Sequence, residues 1–460
     1  MNSHRATGPD LPRSTPAEQG VDATGIDAFL AALAPQPGVE LHSLMILRHG
    51  HVVAEHWWPP YRPETPHLLY SLSKSFTSTA LGFAVAEGTV DLDATVLSYF
   101  PELDSLVTNE RSRRIRVRHV AAMASGHEED TADRAMKAGD GDMLLGLLLT
   151  PPEREPGTIF AYNQPCTYSV GAIIRRVSGV SLTEYLRARL FEPLDIGTYG
   201  WIKDAKGREQ GFSGLFVTTE AIAKLGQVYL SGGEWAGRRL LSPEWVAEAT
   251  RSHIATDLTE TDDWGEGYGF QFWQSRHGYR GDGAYGQFML ILPEADAVVA
   301  ITSQSRDMQA VLDAAWAHLL PALTAGTGPA GPWTPPTTPL AAPVAKGPAG
   351  VLAPATFTPG PGNELATLRT VQVGPRLVLT DDGPELVADL GAPGDWTTTG
   401  PVATACAWVD GLLLVDLTFV ETPHRLHLTL DPSTAVFGAR WASLPLGTVP
   451  LSVIRMPVDR

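Results

Sequence analysis

The chain has 460 residues, 43% of them hydrophobic and 18% charged, and 51 acidic side chains against 34 basic ones give a formal net charge of -17. This composition suits a soluble globular protein with a large core, and an acidic surface with no basic cluster argues against nucleic acid or anionic membrane as partners. There is no run of about 18 apolar residues to cross a membrane and no apolar segment in the first residues to act as a secretory signal; the two cysteines, Cys166 and Cys406, are then expected to be free thiols in the cytoplasm.

Residues 21–33 read as a short amphipathic helix. Residues 41–48 and 51–58 read as two strands joined at His49-Gly50 in a hairpin. Residues 75–88 form an apolar helix that stops at a glycine. Residues 89–250 are mainly helical, with helix starts at Thr218 and at Ser242-Pro243, a capping serine followed by proline. Strands return at 267–273, 287–292 and 297–302, and a helix over 306–320 stops at Pro321. Strands at both ends with helices between predict an α+β domain: an antiparallel sheet flanked by helices, with a helical subdomain inserted at about 89–250. Residues 326–355, rich in Pro, Ala and Gly, have a linker composition. From 356 to 460, short strands separated by turn residues predict a small all-β sandwich or barrel. The expected division is therefore 1–325, 326–355 and 356–460.

The most informative motif is Ser71-Leu72-Ser73-Lys74 at the start of the apolar helix. Of the six lysines only Lys74 has a serine three residues before it. Residues three apart on a helix share a face, so the hydroxyl sits beside the amine. A lysine made neutral by burial is a base, and the pair is then an activated nucleophile. The structural alternative is a capping serine with a snorkelling lysine. A second segment, Pro156-Gly157-Thr158-Ile159-Phe160-Ala161-Tyr162-Asn163-Gln164, leads through a tyrosine and two amides into another apolar helix. A phenol beside a lysine cation loses its proton more readily and can act as base and acid; alternatively Tyr162 is a buried tyrosine satisfied locally.

In that order, Ser71-x-x-Lys74, Tyr162-Asn163-Gln164 and a late glycine-rich strand resemble the penicillin-binding-protein and class C β-lactamase-like serine hydrolases, over about residues 20–320. Segments 118–126 and 184–197 are similar to that family too. The resemblance implies Ser71 as a nucleophile that forms an acyl-enzyme, Lys74 as the residue that sets the proton balance and Tyr162 as base or acid. It implies an oxyanion hole made by the backbone N–H groups of Ser71 and Ala284. Substrate contacts are expected from Gln164, Arg280, Gly281, Asp282 and Gly283.

Two departures limit the resemblance. Gln164 stands where the family has asparagine. The family's Lys-Thr-Gly or His-x-Gly is replaced by Arg280-Gly281-Asp282-Gly283-Ala284-Tyr285-Gly286-Gln287, with Gly281 at the basic position. Arg280 either supplies the missing charge or is a solvated strand end; His277 competes for the basic role but reads better as an exposed histidine. Without the element that meets an antibiotic's carboxylate, esters or small amides are the expected substrates. An acyltransferase using the same intermediate is the alternative, ahead of a true β-lactamase or a catalytically weak ligand-binding relative. His127-Glu128-Glu129-Asp130 lacks zinc-site spacing and reads as a polar loop near the site mouth. Trp57, Trp58, Trp264 and Trp273 are core residues or walls of an acyl pocket. No metal or cofactor is expected, and the partner is a small-molecule ester or amide, with homo-oligomer formation left open.

Overall fold

Two residues in left-handed backbone, His49 (φ 50°) and Gly50 (φ 73°), turn strand Val39–Arg48 back onto strand His51–Trp57. Positive φ at both turn positions matches the twist of the paired strands. On its other edge Val39–Arg48 pairs antiparallel with Ala297–Ser305, from Val39 opposite Ser305 to Arg48 opposite Ala297, with a register shift between Leu41 and Ser43. The sheet continues through Gln287–Leu292 and Tyr279–Gly283 to Trp273–Gln274, six strands in all. The computed structural model describes residues 10–256, 262–326, 331–337, 339–347 and 354–458.

Both faces of this sheet are covered, so its central strands are buried throughout and read as continuous apolar runs. Leu44, Ile46, Phe288, Leu290, Val299 and Ile301 meet helix Ala23–Leu33 and the helical segment after residue 307. Met45, Met289, Val298 and Ala300 on the other face belong to the larger core built around Phe76 and Leu81 of helix Ser73–Ala86.

Three expectations change. Of residues 267–273, only Trp273 enters a strand. Gly267 (φ 106°) and Gln271 (φ 66°) break the extended backbone, and the carbonyls of Phe270 and Gln271 accept hydrogen bonds from Ser78 and Ser75 of the adjacent helix. The helix expected over 306–320 begins at Met308, capped by Asp307, and runs past Pro321 to Thr324. A π turn over Ala315–Leu319 precedes the proline, and Pro321 falls in the first turn of Leu320–Thr324, where a missing N–H is tolerated. The mainly helical stretch after residue 89 also contributes strands: Tyr199–Trp201 pairs with Leu215–Val217, which pairs with His67–Leu68 just before Ser71.

The C-terminal region is a nine-stranded sheet from Ala355 to Trp441. Its terminal strands curl toward each other: Asp389 N donates to Thr399 Oγ1 (3.0 Å) and Thr404 Oγ1 donates to Asp389 O (2.6 Å), giving a near-barrel. Phe357, Leu379, Val415, Leu428 and Phe437 fill it. In the segment with linker composition, Leu340 N donates to Pro59 O and Lys346 N to Trp408 O, so it touches both regions; residues 327–330, 338 and 348–353 of it lie outside the described residues. The near-barrel docks beside the start of helix Ser73–Ala86. Leu68 N donates to Glu421 O (2.8 Å), and Arg425 pairs with Glu40 (2.8 Å). Among the described residues no helix is long and apolar enough to cross a membrane.

Candidate active site

Ser71 lies in a single 3-10 turn, Tyr70–Leu72, that runs directly into helix Ser73–Ala86. Tyr70 is in the left-handed region (φ 47°), a conformation costly for a residue with a Cβ. The turn is braced by Ser73, whose hydroxyl donates to Tyr70 O (2.6 Å) and accepts from Leu215 N (3.0 Å). One turn on, Lys74 is 1% exposed. Its Nζ donates to Ser71 Oγ (3.0 Å), Gln164 Oε1 (2.8 Å) and Phe212 O (2.8 Å), and it stands 4.6 Å from the centre of the Tyr162 ring. Burial lowers its pKa to about 7, against the pull of Asp130 and Asp282 in the other direction. Near neutral pH a large share of Lys74 is therefore free amine, able to accept the Ser71 proton.

Tyr162 stacks on Trp273 (5.2 Å between centroids, 22°) and meets Tyr268 edge-on. Its hydroxyl interacts with Ser71 and Trp273. Here the expectation of an easily ionised phenol is corrected: burial, with Asp282 adding to it, pushes the Tyr162 pKa well above the ordinary value. Desolvation outweighs the hydrogen bonds to Ser71 and Trp273 and the charge of Arg280, which pull the other way. Tyr162 is a neutral phenol placed to donate a proton.

Gln164 opens helix Gln164–Ser178, and its backbone N–H donates to Asp130 Oδ1 (3.1 Å). The neighbouring Asn163 is turned away; its Oδ1 accepts from Thr131 N (2.8 Å) and Thr131 Oγ1 (2.9 Å). Gln164 is thus the amide of the pair that reaches Lys74.

The glycine-rich strand Tyr279–Gly283 comes down on the Tyr70–Leu72 turn. A Cβ on Gly281 would lie 2.5 Å from Leu72 Cδ1 and from Ser75 Oγ, and one on Gly283 would lie 2.0 Å from Leu69 O. These two glycines permit the approach that sets Ala284 beside the turn. Arg280 is not a solvated strand end. It is fully buried, stacked 4.6 Å from the Trp264 ring, paired with Asp282 Oδ2 (2.9 Å) and hydrogen-bonded to Asp263 O and Gln274 O. Its charge is matched by Asp282. His277 is exposed and lies edge-on against Trp316.

Ser71 opens into a cleft of about 520 Å³. Leu68, Ile202, Phe212 and Phe216 form one wall, and His424, Leu446, Val449 and Ile454 of the C-terminal region form the other. Of the four tryptophans considered as pocket walls, Trp273 touches Tyr162, Trp264 covers Arg280, and Trp58 packs between the domains beside Tyr61 and Leu340. Asp130, the last residue of the acidic loop, lines the cleft, while His127 is buried against Ser125 and Thr150. Among the described residues no group of three or more His, Cys, Asp or Glu could hold a metal ion. Both cysteines are buried and free, and burial pushes the Cys166 thiol up to about 12. Asp130 stands where the polar loop was expected, at the site mouth, whereas Phe212 was not identified from sequence, since no motif marks it.

Residues 26–323 match the Beta-lactamase family, and the protein belongs to it. It is a serine hydrolase of that family, which includes esterases and amidases. It is 28% identical over 314 residues to the 6-aminohexanoate-dimer hydrolase of Paenarthrobacter ureafaciens, a match over 63% of this chain and 75% of the relative. Among solved structures it is similar to EstCE1, a hydrolase with promiscuous acyltransferase activity (TM-score 0.54, 18% identity, 64% of this chain and 98% of that one). The octameric penicillin-binding protein homologue from Pyrococcus abyssi (TM-score 0.52, 18% identity) matches 88% of this chain and 98% of its own.

Proposed function

We propose that the protein hydrolyses small esters or amides through an acyl-enzyme on Ser71. The observation that carries this reading is the buried Lys74 amine, 3.0 Å from Ser71 Oγ with its pKa lowered to about 7. Ser71 Oγ attacks the substrate carbonyl as its proton passes to Lys74. The Tyr162 phenol donates to the leaving oxygen or nitrogen and is reprotonated from Lys74. The backbone N–H groups of Ser71 and Ala284 stabilise the oxyanion. Water then releases the acid, with the same groups acting in reverse.

The likeness to the 6-aminohexanoate-dimer hydrolase from Paenarthrobacter ureafaciens, named for a dimer of an amino acid, supports amides as one substrate class. The matched charge of Arg280 leaves no free cation at the family's carboxylate-binding position, which argues against β-lactam antibiotics. The apolar cleft favours an acyl group with an aliphatic or aromatic body. Transfer to an amine or alcohol uses the same acyl-enzyme, and the likeness to EstCE1 keeps it as the second reading.

The test is a series of p-nitrophenyl esters and small amides, with and without an amine acceptor, read beside the intact mass of the protein. A serine adduct absent from Ser71→Ala, with free acid as the product, is expected. Full turnover by Ser71→Ala would remove the nucleophile assignment, and amide as the only product would make the enzyme a transferase.

A further inference from the structure

The backbone donors proposed for the oxyanion hole each have a tyrosine neighbour in left-handed conformation: Tyr70 (φ 47°) precedes Ser71, and Tyr285 (φ 66°) follows Ala284. Such backbone is costly for a residue with a Cβ and persists only where its surroundings hold it. Here both side chains are held by the C-terminal near-barrel. Tyr70 Oη donates to His424 Nε2 (2.6 Å), and Tyr285 Oη donates to Leu444 O. His424 is 1% exposed, and its Nδ1–H donates to Ser443 O (3.0 Å), which leaves Nε2 as the acceptor Tyr70 needs. The three rings pack together: Tyr70 and Tyr285 are tilted at 5.8 Å, and His424 meets each of them edge-on at 5.8 Å and 5.6 Å.

We propose that the C-terminal near-barrel positions the oxyanion hole, with His424, Tyr70 and Tyr285 as positioning residues that clamp the Ser71 and Ala284 N–H groups from outside the hydrolase fold. The proposal rests on the acyl-enzyme reading of Ser71. A donor pair held this way acts on the charge that develops in the transition state more than on the bound substrate.

The test uses the full chain with Tyr70→Phe, Tyr285→Phe, His424→Leu and His424→Gln, the last keeping an acceptor near the Nε2 position. The readouts are kcat and KM on a p-nitrophenyl ester, and inhibition by a phenylboronic acid, which forms a tetrahedral adduct on a reactive serine. Each Phe variant is expected to lose about tenfold or more in kcat at nearly constant KM, a displaced donor being costly even without its removal. Boronic acid affinity should fall in parallel with kcat/KM. His424→Leu should lose more, and His424→Gln should recover part of the loss. Wild-type kcat in both Phe variants, or a change confined to KM, overturns the proposal. If His424→Leu does not fold, the two Phe variants, which remove one hydroxyl each, still decide. Full activity of Ser71→Ala would instead strike at the underlying acyl-enzyme reading.

Discussion

Lys74 Nζ and the side-chain oxygen of Gln164 are 2.8 Å apart, joining the first turns of two helices that are ninety positions apart in sequence. The neighbouring amide, Asn163, is committed to Thr131 and leaves this contact to Gln164. This contact fixes one of the protons on Lys74 and so bears on the state in which it acts.

Gln164→Glu places a carboxylate against the amine. An opposite charge favours the ammonium form, so the Lys74 pKa rises from about 7. In the proposed mechanism the free amine is the active form. The acid limb of kcat/KM, expected near pH 7 in the wild type, should move to higher pH by about one unit or more. A pH–rate profile measured on one ester checks this, and an unmoved limb would show that another group controls it.

Gly283→Ala should be far more damaging than Gly281→Ala. The added methyl of the first meets backbone, Leu69 O at 2.0 Å, while that of the second meets side chains that can turn away. The expectation is a loss of about 100-fold or more in kcat for Gly283→Ala, from displacement of the strand off the nucleophile turn. Gly281→Ala should keep measurable turnover. Equal activities would argue against a requirement for close approach.

Arg280→Met leaves Asp282 buried without its partner. Breaking a buried pair by removing one member costs about 3–5 kcal/mol, because the remaining charge is uncompensated. Denaturant unfolding should show a loss of this size, and Arg280→Met combined with Asp282→Asn should recover part of it. A surface-like effect below about 1 kcal/mol would mean that the pair is solvated.

Low pH should loosen the docking of the near-barrel. Burial lowers the His424 pKa from 6.5 to about 4, and it lowers those of His42 and His67 at the same interface. The unfolded or undocked chain then binds more protons than the docked one between about pH 6.5 and about pH 4. Stability from these histidines is complete above that window and is lost as pH falls through it. Thermal unfolding of the wild type against His424→Gln across this range is the measurement. Parallel curves would exclude His424 from the effect.

Much of the site was legible because its chemistry is local. Ser71 and Lys74 share one helical turn, and Tyr162 and Gln164 are two positions apart. The six-stranded sheet was legible in its apolar central strands. Residues 267–273 misled because aromatic and glycine residues alternate there as in a strand, while Gly267 and Gln271 adopt positive φ that only the packed loop requires. Pro321 misled because a proline stops a helix except near its first turn, and the preceding π turn makes a new first turn. The role of Arg280 depended on Asp282 and the Trp264 face, and alternation along one strand cannot say which side is buried. His424 carried no motif at all, being one histidine in a run of short strands.

The pairing of Val39–Arg48 with Ala297–Ser305 has a consequence for synthesis. Ser71 and Lys74 leave the ribosome early, but the strand that must lie beside the N-terminal hairpin is made only two-thirds of the way along the chain. The histidine that meets Tyr70 follows later still. A nascent chain paused before residue 297 should therefore carry Ser71 without reactivity toward a fluorophosphonate, while the released protein labels. On the acyl-enzyme reading, assembly order alone would keep Ser71 silent until well past the middle of its chain has been made.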